Sequence, residues 1–113
     1  MPFIDIKTNI DVPHDNQVTI KSKLGEAITA VPGKSEKWLM VEIEPECALW
    51  FSGESAPAAM VEVSIYGGAS SSVYSAMTEK ICNILKNELE IRPDRVYVKY
   101  TETENWGWNG SNF

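Results

Sequence analysis

One pattern, written twice, limits what this chain can fold into. Residues 2–8 read as a strand with Ile4 and Ile6 on one face. Asp15 or Asn16 can then cap a helix running to about Val31, with Ile20, Leu24, Ala27, Ile28 and Val31 at helical spacing. Pro32-Gly33 ends it, and Lys37 to Glu44 alternates as a strand until Pro45. After a short piece at 48–51 and a turn at 52–55, the plan repeats. Residues 58–66 alternate with Val61, Val63 and Ile65 inward, and Gly67-Gly68 turns the chain. Ser70 to Ser72 cap a helix to about Leu89, and Pro93-Asp94 opens a strand from Arg95 to Thr101. The helix carries Val73, Met77, Ile81, Ile84, Leu85 and Leu89 on its apolar stripe. Leu39-Met40-Val41 and Tyr97-Val98-Lys99 are separated by close to half the chain, as two βαβ units in tandem require.

Two such units predict an α+β fold: a four-stranded mixed sheet with two helices on one face, each parallel pair joined by a right-handed crossover. The 113 residues and 43% hydrophobic content suit one domain spanning 1–113 with its own core. Two helices cover only one face of the sheet. The other face would carry Phe3, Asp5, Lys7, Trp38, Met40, Glu42, Glu62, Tyr66, Tyr97 and Lys99. So mixed a surface suits a sheet that meets symmetry mates around a wet channel, which predicts an oligomer.

Several function classes drop out. A formal net charge of −6 argues against nucleic acid, which needs a basic face. No apolar run is long enough for a membrane span, and Asp5, Lys7 and Asp11 interrupt any signal-peptide pattern, so cytoplasmic synthesis is expected. Cys47 and Cys82 form no C-x-x-C and read as two buried thiols, with no metal site and no cofactor. With His14 as the one histidine, in a Pro-containing loop, a Ser-His-Asp system has no support. Gly67-Gly68-Ala69-Ser70 could cradle an anion or simply turn the chain. Asn109-Gly110-Ser111 has the form of a glycosylation sequon and reads as structural.

Pro2 is different in kind. If Met1 is trimmed, the chain begins with a free secondary amine on a rigid ring. An α-amino group has a reference pKa of about 7.7–8.0, and burial and a nearby cation both lower it. Pro2 is therefore a candidate general base. Lys34, after Gly33 in a loop leading to a central strand, is a candidate cation for it. Phe3, Trp38, Tyr97, Trp106, Trp108 and Phe113 are aromatics in strand or C-terminal positions that could surround it.

These residues, taken in order, resemble the macrophage migration inhibitory factor family of the tautomerase superfamily. The resemblance covers the whole chain. It rests on Met1-Pro2-Phe3-Ile4, Gly33-Lys34, Trp38, Phe51-Ser52-Gly53 and Ser64-Ile65. Most specific are Pro93-Asp94-Arg95-Val96-Tyr97-Val98 and Gly107-Trp108-Asn109-Gly110-Ser111-Asn112-Phe113. The resemblance implies a homotrimer with helices outside, sheets inside and active sites between subunits. It implies that Pro2 shuttles a proton, that Lys34 binds a carboxylate or developing enolate, and that the backbone N–H of Ile65 adds a donor. Tyr97 would approach from the neighbouring subunit, and Trp38, Trp106, Trp108 and Phe113 would wall the pocket.

The implied reaction is keto–enol tautomerisation of an α-keto acid or its enol, phenylpyruvate being the type, with a dopachrome-like ring as a further substrate. The other implied class is a cytokine-like protein, secreted by a non-classical route, that binds a cell-surface receptor. A trimeric scaffold without activity is a third reading, against which Pro2, Lys34 and Ile65 speak. Two departures from the family pattern matter. Ala58-Ala59-Met60-Val61 stands where mammalian members carry C-x-x-C, so thiol–disulfide chemistry is not expected. Lys99 stands where those members have Asn. It would either bring a second cation to the pocket, favouring doubly anionic substrates or lowering the Pro2 pKa further, or pair with Glu42 or Glu62 on the sheet.

Overall fold

The computed structural model describes all residues, 1–113. Four strands form the main sheet: β1 (Pro2–Thr8), β2 (Met40–Glu44), β3 (Ala59–Tyr66) and β4 (Val96–Thr103). Two helices connect them, α1 (His14–Ala27) and α2 (Ser71–Leu89), and a C-terminal hairpin pairs β5 (Gly107–Trp108) with β6 (Ser111–Asn112). The sheet order is β2-β1-β3-β4, with β1 parallel to β2, β3 parallel to β4, and β1 antiparallel to β3. This is the expected mixed sheet of two βαβ units, joined through their first strands.

The core fills the helix side. Ile4, Ile6, Val61, Val63 and Ile65 from β1 and β3 meet Ile20, Leu24 and Ile28 from the first helical segment and Met77, Ile81, Ile84 and Leu85 from α2. On β3 the alternation is strict, with Ala59, Val61, Val63 and Ile65 buried and the residues between them half-buried. A period of two with one buried face also fixes the register, because a one-residue slip would turn every apolar side chain outward.

Local details depart from the sequence reading. Helix α1 begins at His14, with Pro13 at its cap position and no side-chain cap. Asn16, expected as a cap, donates instead to the Glu88 carbonyl at the end of α2. The helix tightens after Ala27 into a single 3₁₀ turn, Ile28–Ala30. Strand β2 starts at Met40, because Glu36–Trp38 form a 3₁₀ turn closed by Trp38 N–H to Ser35 and Leu39 N–H to Glu36. Its first ladder partner, Phe3, lies almost at the start of β1, so residues before Met40 have no strand to pair with. Trp38 consequently leaves the sheet face and turns toward the chain's N-terminus. Ser70 caps α2 as expected, accepting from the Val73 N–H. Cys47 and Cys82 are half-buried free thiols rather than buried ones, and burial pushes the Cys82 thiol up. No helix is long and apolar enough to cross a membrane.

Candidate active site

Strand β1 runs through the middle of the sheet, which puts its first residue at a buried sheet end. Proline is tolerated there because it is the first residue of the strand, where a missing N–H costs no ladder bond. Pro2 is buried and stands opposite the fully buried Ile65. One step outward, the Met1 carbonyl accepts from the Tyr66 N–H at 3.0 Å. The Met1 amine is lowered from 8.0 to about 6, first by burial and then by the adjacent Lys34 ammonium. Lys34 is held in place by donating to the Tyr66 carbonyl at 2.7 Å, with its ammonium 5.9 Å from the Tyr66 ring.

Beside this amine lies a cavity of about 650 Å³, lined among others by Met1, Pro2, Trp38, Trp106 and Trp108. That volume suits a small organic ligand. The C-terminal hairpin supplies one wall. Its Asn109-Gly110 turn has φ of 51° and 88°, the two-residue reversal that favours Asn-Gly. Phe113 closes it, donating from its backbone to the Trp106 carbonyl at 3.0 Å. Trp38 meets Trp108 edge to face at 5.0 Å, and Phe113 packs on Trp38 at 6.4 Å, on Trp108 at 6.2 Å and on Tyr66 at 5.7 Å.

Of the residues named from sequence, the chain thus gathers Pro2, Lys34, Trp38, Ile65, Trp106, Trp108 and Phe113 at one end of the sheet. Tyr97 and Lys99 lie elsewhere. Tyr97 sits near the opposite end of β4, 63% exposed and packed edge-on against Phe51 at 4.9 Å. Lys99 is exposed on the open sheet face, in a row that runs Glu42, Asp5, Glu62, Lys99 across the four strands. It makes none of the chain's ion pairs, although Glu62 stands opposite it in the register.

Two other clusters are filled from within. Asp5, Glu42 and Glu44 bring carboxylate oxygens within 4.8 Å of one another, but Lys7 already pairs with Asp5 and, at 3.3 Å, with Glu44. At the start of α2 the Glu102 carboxylate accepts from the Ala69 N–H at 3.3 Å and from the Tyr74 hydroxyl at 2.5 Å. The Gly67–Ser70 turn therefore holds a carboxylate of its own chain. Burial, then Glu102, pushes the Tyr74 hydroxyl up to about 12. Sequence reasoning missed Lys37, which lines the large cavity. In the sequence it reads only as the first residue of a strand, and a lysine following a glutamate carries no signal beyond solvation.

Comparison with known proteins agrees with this architecture over its full length. The family described as macrophage migration inhibitory factor (MIF) matches residues 1–113. Macrophage migration inhibitory factor of Rattus norvegicus is 33% identical, over 100% of this chain and 99% of that protein. The crystal structure of Leishmania major MIF2 superposes with a TM-score of 0.94 at 30% identity, covering 100% of this chain and 97% of that one. The homologue from Prochlorococcus marinus gives a TM-score of 0.84 at 30% identity, with 98% of each chain covered. The chain belongs to the macrophage migration inhibitory factor family, within the tautomerase superfamily.

Proposed function

We propose that this protein is a keto–enol tautomerase acting on α-keto acids of the phenylpyruvate type, with Pro2 as its general base once Met1 has been removed. One observation carries the reading. The Met1 amine, one residue ahead of β1, is lowered to about 6 by burial and Lys34, and the buried Pro2 follows it beside a tryptophan-walled cavity of about 650 Å³. An amine with that pKa is mostly neutral at physiological pH and close to the optimum for a general base. In the unprocessed chain the Pro2 nitrogen is a tertiary amide without basicity. Removal of Met1 converts it into the chain's amine, at a buried residue one step inward from the amine that Lys34 lowers.

In the reaction, the neutral Pro2 nitrogen takes a proton from the carbon next to the carbonyl and returns it to the other end of the enolate. Lys34 holds the carboxylate or the developing enolate charge. The backbone N–H of Ile65 is the further donor carried over from the family. Trp38, Trp106, Trp108 and Phe113 receive the ring and exclude water. Residues 1–113 act as one domain in a homotrimer. Its assembly brings Tyr97 and Lys99 of a second copy to this end of the sheet, consistent with the exposed positions of both on the open face.

The test is the enol–keto conversion of phenylpyruvate by chain whose Met1 removal is verified by mass. Chain that retains Met1 should lose about 10²–10⁴-fold, the usual worth of a positioned base. Pro2→Gly keeps an amine but frees it from the ring, and should lose on the order of 100-fold through misplacement. Equal rates for processed, unprocessed and Pro2→Gly chains would overturn the assignment.

A further inference from the structure

The cavity is unusual in its charge. The chain has 16 acidic residues, yet none of them lines this cavity, and Lys37 is its one charged side chain. Lys37 forms no ion pair. The neighbouring Glu36 does not neutralise it, because its carboxylate packs against Gly25 of α1. The Lys37 ammonium instead stands 5.2 Å from the Trp38 ring centroid, within cation–π range. Lys34 is likewise without a carboxylate partner; it stands behind the cavity lining, beside the Met1 amine and on the Tyr66 carbonyl. Between the two cations runs an aromatic series: Lys34 to Tyr66 at 5.9 Å, Tyr66 to Phe113 at 5.7 Å, Phe113 to Trp38 at 6.4 Å, and Trp38 to Lys37 at 5.2 Å. An aromatic series thus links the cation beside the terminal amine to the cation on the cavity wall.

We infer that Lys37 is a second anion-recognition residue, and that the site prefers aromatic α-keto acids carrying another negative group on the ring, remote from the keto acid. The inference rests on the tautomerase reading for the identity of the first anion: the keto-acid carboxylate lies at Lys34 and the ring crosses the tryptophan wall. A remote carboxylate, sulfonate or phosphate then meets Lys37 at the mouth. Because Lys37 is exposed, the gain is that of a surface ion pair, up to about fivefold in affinity. For the same reason it is screened by salt, whose Debye length falls to about 3 Å at 1 M.

The experiment compares phenylpyruvate with 4-carboxyphenylpyruvate on processed full-length protein. KM is measured by turnover, and Kd by quenching of the cavity tryptophans. The expected result is a KM and Kd about fivefold lower for the dianion, a preference retained by Lys37→Arg, abolished by Lys37→Gln and collapsed at 1 M salt. Lys99→Gln is the competing arm, because the family position of Lys99 offers another source of positive charge. A preference that survives Lys37→Gln, that disappears in Lys99→Gln instead, or that is absent from the native protein overturns the inference. The two readings fail separately. Turnover without dianion preference sinks the Lys37 assignment alone. Dianion-selective quenching without turnover leaves Lys37 standing and sinks the tautomerase. Binding of neither compound sinks both.

Discussion

Replacing Lys34 by Met removes the cation beside the terminal amine while keeping the length of the side chain. Two causes lower that amine from 8.0 to about 6, burial first and Lys34 second. At pH 7 an amine titrating at 6 is about nine-tenths neutral, whereas one at 8.0 is about one-tenth neutral. Loss of Lys34 moves the value up but not all the way to 8.0, since burial remains. Carried over to the Pro2 amine of processed protein, the ionisation effect alone lowers kcat at pH 7 by less than about tenfold, and the deficit closes by pH 9. A second effect does not close. On the proposed mechanism Lys34 holds the substrate carboxylate through a charge-assisted contact worth about 1.5–3 kcal/mol, so KM rises about tenfold to a hundredfold at every pH. The pH profiles of kcat and KM for processed native and Lys34→Met protein separate the two. A nuclear magnetic resonance titration of the unprocessed chain, isotopically labelled at Met1, reads the amine directly. The sign for stability follows from the same shift. Between about pH 6 and 8 the unfolded chain binds more protons at this amine than the folded one, so stability rises with pH across that window. An amine that still titrates near 6 in Lys34→Met, or a KM defect that vanishes at pH 9, would refute this reasoning.

Three other outcomes follow from the geometry. Removing Met1 deletes the acceptor of the Tyr66 N–H, so hydrogen exchange at the Tyr66 amide should accelerate in processed protein and slow again with bound phenylpyruvate. Gly110→Ala forces a Cβ into a φ of 88°, costing about 1 kcal/mol in an exposed hairpin; KM for phenylpyruvate should rise and tryptophan fluorescence shift, with Tm lowered by at most about 4 °C. Lys7→Met strips the cation from Asp5, which is 8% exposed, and from Glu44, whose carboxyl is already raised chiefly by Asp5. A carboxyl raised in the folded state binds extra protons there, so the variant should lose Tm at pH 7 and recover part of it as the pH falls toward the carboxylate range. A Tm deficit independent of pH counts against that account.

The periodic elements were legible because each buries a single face. β3 and α2 follow their apolar residues nearly to the residue, and Ser70 announced its helix. Where the structure departs, a tertiary partner decided. β2 begins late because Phe3 gives Met40 its first ladder position, and Asn16 reaches across to Glu88 rather than capping its own helix. The site divides along the same line. Pro2, Lys34, Trp38 and the Gly107–Phe113 hairpin are brought together by contacts within one chain. Tyr97 and Lys99 point away from that cavity, and their assigned roles need a second copy. Lys37 was invisible to pattern because its meaning lies in the absence of acids around it, a property of the folded wall.

Sheet order explains why a proline can hold this post at all. A proline inside a central strand would forfeit a ladder bond, so burial in the middle of the sheet and a proline nitrogen are ordinarily in conflict. Placing the proline first on β1 resolves it: the neighbouring ladder bond is made by the Met1 carbonyl to Tyr66, and Pro2 is asked to donate nothing. Removing Met1 then costs the sheet one terminal hydrogen bond, of about 0.5–1.5 kcal/mol. On the proposed mechanism it leaves, beside Lys34, the Pro2 amine together with a Tyr66 N–H that has lost its acceptor, a donor additional to that of Ile65. A general base and a donor are the two groups that proton transfer through an enolate requires. A cut that would fray an edge strand here creates both, because β1 lies between β2 and β3 and neither neighbour depends on Met1 for its own register.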